Sequence, residues 1–430
     1  MALPLERFRV IEFGTAWAGP MATQILADMG ADVIKVESRV YMDGLRLGRP
    51  IVGDDIAGGD EGRWPDLQPT FHALNRNKRS LTVNLKHPRG REIIKDLVRV
   101  SDVVLTNFAP GVMEKLGLGY EELSAVNPRL IMAEMSAAGR SGPLRDLVGY
   151  APSVHAMSGL SSVLGYEGEP PLGTVQVPYA DAASALATAT AVIAALWMRE
   201  KTGHGQFIEV SEIEAVMALL PEVLLLPSMT GRDAEPRGNR HPLMAPHGNY
   251  PTADEDGWIS IAVDSEEEWQ ELARAAGHEE WLADARFASR EARLRNAKEL
   301  DEELSRWTKT LSTDEIVALL AARNIAVFPV RHIGEVYFDP HHQERGVFPT
   351  TDHPLVGFEP IPGLAWRLHA TPGSIRRVAP CLGEHTVEIL QDLLGLDRAE
   401  IERLAQELSL IHISEPTRLL SISYAVFCLK

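Results

Sequence analysis

Asp181 stands at the head of an alanine-rich stretch, residues 181–198, that no proline or glycine interrupts; a turn at 202–206 and a strand-like run at 207–210 follow. A carboxylate at the start of a helix has two uses. It caps the helix by accepting a backbone N–H. Alternatively, being anionic near neutral pH, it attacks an activated carbonyl without needing a separate base. The residues alone leave both open. Other candidates fall away more easily. His341 and His342 are adjacent, so their side chains splay apart on a helix or a strand, and with His332 they lack a carboxylate or thiol at ligand spacing; no metal site is expected. Gly203, His204 and Gly205 follow a helix and precede a strand, the reverse of a phosphate-binding loop.

The elements that must position Asp181 alternate. The chain opens with a strand at 9–13, a turn-rich loop at 14–20, a helix at 21–29 and a strand at 31–37, a βαβ unit. Its loop offers only Gly14 and Gly19 instead of G-x-G-x-x-G, which argues against a nicotinamide cofactor. Strands at 80–84, 103–106 and 130–134 alternate with helices at 88–100 and 111–116, the signature of a parallel sheet with helices on both faces. Ligands in such sheets collect at the carboxyl ends of the strands, here residues 13–18, 37–46, 84–86, 107–110 and 135–139. The expected fold is α/β: a Rossmann-like large domain over residues 1–226, closing on a helix at 212–226, then a linker at 227–250 and a smaller α+β domain at 251–340. That small domain reads as a hairpin turning at Asp256-Gly257 and amphipathic helices at 266–276, 290–308 and 313–323. Residues 341–407, loop-rich at 349–380 and helical at 385–394 and 398–406, return to complete the large domain.

The 430 residues are 45% hydrophobic and 24% charged, ordinary for a soluble globular protein. A net charge of −18 without a basic block argues against nucleic acid. Cys381 and Cys428 are the only cysteines, which supports neither a disulfide framework nor a zinc site and favours a reducing cytoplasm. The opening residues do not read as a secretory signal. The one stretch long enough for a bilayer, 182–198, carries Ser184, Thr188 and Thr190 and reads as a buried helix, so no membrane is expected. Residues 408–418 resemble the translated end of a transposon-derived sequencing adapter, so 408–430 is expected to be a non-native tail.

Taken together, the loop Ala18-Gly19-Pro20, the strand at 33–37, and the segments 75–80, 107–113, 202–206 and 379–386 resemble, in this order, the class III CoA-transferases, a family that also holds α-methylacyl-CoA racemases. The likeness runs from about Leu5 to Leu404. It implies an acyl-CoA donor, a carboxylate acceptor and no permanently bound cofactor, coenzyme A entering as a thioester substrate. It also implies an interlocked homodimer, or a heterodimer with a homologue, in which each chain threads through its partner. Asp181 falls where the family has its catalytic aspartate, with Ala185 standing where a glycine is common. Carried over position by position, the coenzyme contacts fall on Trp17, Ala18, Arg39, Arg46, Val83, Lys86, Asn107, Phe108, Lys115, Ser136 and Ala137, with Lys86 and Lys115 toward phosphate. Unpaired N–H groups of the first helical turn are expected to stabilise the oxyanion. Segments 71–86, 107–120 and 149–160 look most like the branch acting on dicarboxylic or aromatic acids.

Two other functions compete. A racemase needs a histidine beside the aspartate to move an α-proton. The matching position holds Tyr150, a poor base at neutral pH, and His155 reads as a packing or hydrogen-bonding residue. A non-catalytic CoA-binding subunit is the second alternative, and retention of Asp181 argues against it.

Overall fold

Six short strands pair side by side in parallel: β1 (Arg9–Glu12), β2 (Asp32–Glu37), β3 (Lys78–Thr82), β4 (Val103–Thr106), β5 (Ile131–Ser136) and β6 (Phe207–Ser211). Their order is β3-β2-β1-β4-β5-β6. Sheet growth reverses between β1 and β4, the switch point at which open α/β sheets bind ligands. The computed structural model describes residues 2–49, 61–172, 177–407 and 410; apart from Leu410, the adapter-like tail lies outside them.

β1 to β5 are buried on both faces, the edge strand β6 only in part, and successive residues split between two cores as their alternation requires. Val10, Val33, Val103 and Ile131 face one core, whereas Ile11, Ile34, Val104 and Met132 face the other. The first core is closed by α1 (Ala18–Asp28) and a long helix described below. The second is closed by α2 (Pro88–Arg99), α4 (Tyr120–Val126), which follows the single turn α3 (Val112–Lys115), and the C-terminal helices Thr386–Leu394 and Arg398–Gln406. After β5 come α5 (Ala151–Met157) and the long α6 (Tyr179–Thr202), which ends at Gly203 in the left-handed conformation that glycine adopts without strain. The buried face of α6 is small, with Ser184, Ala185, Thr188 and Ala189, and it packs along Ala18 and Ala22 of α1. Small side chains let the two backbones approach, and this fixes where the first turn of α6 meets the loop after β1. Its outer face carries Leu186, Ile193, Trp197 and Met198 exposed, and the helix is long and apolar enough to cross a membrane.

The helix expected at 212–226 is two. α7 (Glu212–Met217) ends and α8 (Pro221–Thr230) begins at a proline, which cannot continue a helix but is tolerated in a first turn. The span read as a linker is therefore helical at its start and already a strand at its end.

The chain divides into two compact units: Met1–Leu160 with Thr174–Leu225 and Arg345–Lys430, and Ser161–Gly173 with Leu226–Glu344. In the second, β7 (His247–Pro251), β8 (Trp258–Ala262) and β9 (Ala326–Pro329) form an antiparallel sheet. It is covered by α9 (Glu266–Ala276), α10 (Arg290–Arg295), α11 (Ala297–Thr308) and α12 (Thr313–Ala321) around Trp269, Leu272, Leu304 and Ile316. Ser265–Glu268 and Ser312–Glu315 form capping boxes at the starts of α9 and α12. The single helix expected at 290–308 is split at Asn296, and residues 161–173, expected within the large domain, group with this unit. The stretch at 349–380, read as loop, contains the hairpin β10 (Thr350–His353) and β11 (Gly357–Pro360) in the first unit.

Candidate active site

A buried ion network holds the loop after β1. Glu12, fully buried, lies between Lys35 at 3.0 Å and Lys78 at 2.8 Å, and Thr23 donates its hydroxyl to it at 2.7 Å. Burial pushes the Glu12 carboxyl up, but the two ammonium groups outweigh that and hold it at about 2. The lysines also reach the loop itself: Lys35 donates to the Gly14 carbonyl at 2.7 Å and Lys78 to that of Pro20 at 2.8 Å. From the other side of the switch point the Asn107 amide clasps Thr15, accepting its N–H and donating to its carbonyl, each at 2.9 Å. Gly19 is required for this approach, since a Cβ there would lie 3.0 Å from the Asn107 Oδ1. Asp43 accepts the Ala16 N–H at 2.9 Å and pairs with Lys35 at 3.0 Å. So held, Ala16 adopts φ 57°, a strained conformation for a residue with a side chain.

Asp181 is the third residue of α6, half-buried, and Pro178 occupies the N-cap. Burial pushes its carboxyl above the usual range, and hydrogen bonds from its own N–H and from that of Ala18 pull partly back. The unpaired first-turn N–H groups expected to stabilise an oxyanion are already used. Tyr179 donates to the Val177 carbonyl, Ala182 to that of Pro178, and Ala180 to the His155 Nε2 at 3.1 Å. That bond puts the His155 proton on Nδ1. The ring is fully buried and burial pushes its pKa down, so it is a neutral support of the helix start, as its position on α5 implied.

Asp181 opens into a cavity of about 330 Å³ whose walls include Thr15, Asn107, Ser136, Tyr150 and Glu212. A second, of about 680 Å³, lies over the ends of β1, β2 and β3 and is lined by Ser38, Tyr41, Val83, Asn84 and Lys86 among others. Thr15, Ala16, Phe108, Val112 and Tyr150 belong to both walls, so the two meet across the switch point, all within the first unit. At the far end the Lys86 Nζ donates to the Tyr41 hydroxyl and lies 4.4 Å from the centre of its ring.

Of the residues named from sequence, Asp181, Val83, Lys86, Asn107, Phe108, Ser136 and Ala137 come together on these walls. Five do not. Arg46 is 1% exposed, with its guanidinium on Glu37, Asp66 and the Pro380 carbonyl and over the Phe71 ring, so it is a core ion pair that cannot reach a phosphate. Ala18 is buried and offers its N–H to Asp181 instead of to a coenzyme. Trp17 precedes α1 and leaves the wall to Thr15 and Ala16, while Arg39 and Lys115 are exposed and line neither cavity, although their neighbours Ser38, Val40 and Leu116 line the larger one. Thr15, Ala16 and Tyr41 fall in the strand-end segments 13–18 and 37–46 but were not singled out there, and Glu212 was missed. Glu212 sits one residue after the Ser211 N-cap, a position that from sequence reads as ordinary helix-start acidity.

The model of the CoA-transferase family III matches residues 5–386. The succinyl-CoA–D-citramalate CoA-transferase of Chloroflexus aurantiacus is 35% identical over 401 residues, 93% of this chain and 96% of that one. The β subunit of the succinyl-CoA–L-malate CoA-transferase of the same organism is 34% identical over 404 residues, 94% and 97% of the two chains. A crystal structure of a CAIB/BAIF family protein from Brucella suis superposes with a TM-score of 0.81 at 31% identity, covering 91% of this chain and all of that one. Likeness of this depth over nearly the whole length supports CoA-transferase activity in general terms, and the chain belongs to the CoA-transferase family III.

Proposed function

We propose that this chain moves coenzyme A from an acyl-CoA to a carboxylic acid, with Asp181 as the covalent nucleophile. The observation that carries this is the position of Asp181, on the wall of a cavity that meets a larger one lined in part by Lys86. In this reading the thioester lies at the first and the coenzyme runs along the second, its phosphates toward Lys86. The Asp181 carboxylate adds to the thioester carbonyl and expels CoA thiolate, leaving a mixed anhydride. The thiolate attacks the aspartyl carbonyl, releasing the donor acid and forming an aspartyl-CoA thioester. The acceptor carboxylate attacks that thioester, and the freed thiolate takes the new acyl group, restoring Asp181. Each intermediate is open to hydrolysis, so the site has to exclude water.

The exposed apolar stripe on α6 supports packing against a second chain, as in an interlocked dimer, over insertion in a bilayer. Among the described residues the walls lack the histidine partner that a racemase needs: Tyr150 is 75% exposed and His155 has its Nε2 committed to Ala180. The test is exchange of CoA between acetyl-, butyryl- or succinyl-CoA and a panel of carboxylates, by the wild type and Asp181→Ala. Exchange is expected only in the wild type, and equal turnover by both proteins would exclude the mechanism. Exchange of the α-proton without CoA transfer would favour the racemase.

A further inference from the structure

We propose that Glu212 and Ser136 select the acyl group, taking a chain that carries a hydroxyl or another uncharged hydrogen-bonding group and turning away one that ends in a second carboxylate. This rests on the CoA-transfer reading above. Both residues line the cavity that holds Asp181. The Ile213 N–H donates to the Ala137 carbonyl at 3.0 Å, which draws the start of α7 against the end of β5 and sets the two residues near one another. Glu212 is 8% exposed and Ser136 6%. Among the described residues the Ser136 hydroxyl, itself enclosed so that a turn about its Cα–Cβ bond is needed to present it to the cavity, has no hydrogen-bond partner, and the Glu212 carboxyl meets no cation and receives no hydrogen bond. Buried polar groups left without partners are exceptions in folded proteins, and a ligand that pairs them is favoured over an isostere that cannot.

The charge around Glu212 sets what such a ligand can be. Three elements pack against α7. α6 brings Asp181. α5 brings neutral His155, with Tyr150 at its start. β6 brings Glu209, whose carboxylate accepts the Arg140 N–H. Among the described residues the cavity wall therefore holds two carboxyl groups and no cation. A second carboxylate on the acyl chain would enter a site already negative, and like charges brought together without water are strongly disfavoured. Burial and the Asp181 charge push Glu212 up to about 7. Its proton leaves across the neutral range, so the discrimination strengthens as pH rises. The selectivity would set this chain apart from the relatives named for succinyl-CoA.

The test is self-exchange between an acyl-CoA and its own isotope-labelled acid, for butyrate, 3-hydroxybutyrate and succinate, which assumes nothing about the natural donor. At about pH 8 the wild-type kcat/KM for 3-hydroxybutyrate is expected to exceed that for succinate about tenfold or more, narrowing toward about pH 6. Glu212→Gln abolishes that pH dependence and raises succinate exchange about tenfold at the higher pH. Ser136→Ala lowers 3-hydroxybutyrate toward butyrate, and with the wild-type pH profile it keeps the proposal testable should the Gln variant not fold. Equal exchange of succinate and 3-hydroxybutyrate by the wild type at the higher pH, or an unchanged ratio in folded Glu212→Gln, would overturn the selection while leaving the transferase standing. Exchange of none of the three acids, nor of any acid in the carboxylate panel above, overturns the transferase reading and the selection with it.

Discussion

The two ends of the cleft differ in charge: the larger cavity brings Lys35 and Lys86 beside Glu37 and Asp43, whereas the wall at Asp181 carries carboxyl groups alone among the described residues. At one end Asp181 and Glu212 share a wall without a cation; at the other Lys86 stands exposed over Tyr41, and Lys35 lies buried beneath the loop, paired to Glu12 and Asp43. A substrate with a polyanionic handle and an uncharged reactive end fits that polarity in one direction only. The difference also separates cations that hold the fold from cations that face the cleft. Lys35, Lys78 and Arg46 are fully buried and ion-paired, while Lys86 is exposed.

The sharpest way to break the comparison is to remove the anion at the reactive end. Asp181→Ala is expected to lower kcat for CoA exchange on the order of a thousandfold or more, because no other wall residue combines anionic charge with that position. Arg46→Ala tests whether the buried cations are structural. It leaves Glu37 and Asp66 facing an empty place in the core, and thermal or denaturant unfolding is expected to show a loss of about 3–5 kcal/mol. At the handle end, Lys86→Ala is expected to raise KM for acyl-CoA about tenfold with little change in kcat, the mark of lost uniform binding. The smallest effect is expected from Lys115→Ala, which steady-state kinetics should place within about twofold of wild type, since an exposed cation off the wall contributes little. A large KM effect there, and none at Lys86, would reverse the assigned polarity.

A stability measurement sharpens the same contrast. Glu212 titrates near 7 folded against about 4.5 unfolded, so protonation favours the folded state, and that contribution is complete below the unfolded value and lost as pH rises through 7. Glu212→Gln, always neutral, is therefore expected to unfold later than wild type at about pH 8, with the difference shrinking toward about pH 5.

Much of the sheet was legible because its signals are local. Buried apolar runs such as Val103–Thr106 mark parallel strands, and alternation with helices sets the topology. The breaks were harder to read. Pro221 and Asn296 look from sequence like tolerable positions in longer helices, and the hairpin at 350–360 lies among prolines and glycines that read as loop. In the site, Asp181 and the strand-end residues followed from position, but burial did not. Arg46 and Lys86 are equivalent in sequence, and only tertiary packing makes one a core ion pair and leaves the other at the cleft. Nor does a non-glycine residue such as Ala16 announce a positive φ, which arises from Asn107 and Asp43, distant in sequence, gripping one loop.

The central claim is that Asp181 becomes covalently activated, and trapping tests it most directly. Protein incubated with acyl-CoA and then hydroxylamine is digested, and the peptide containing Asp181 is weighed by mass spectrometry. The account predicts a hydroxamate on Asp181 that requires acyl-CoA. An unmodified Asp181 in protein that is exchanging CoA would contradict it.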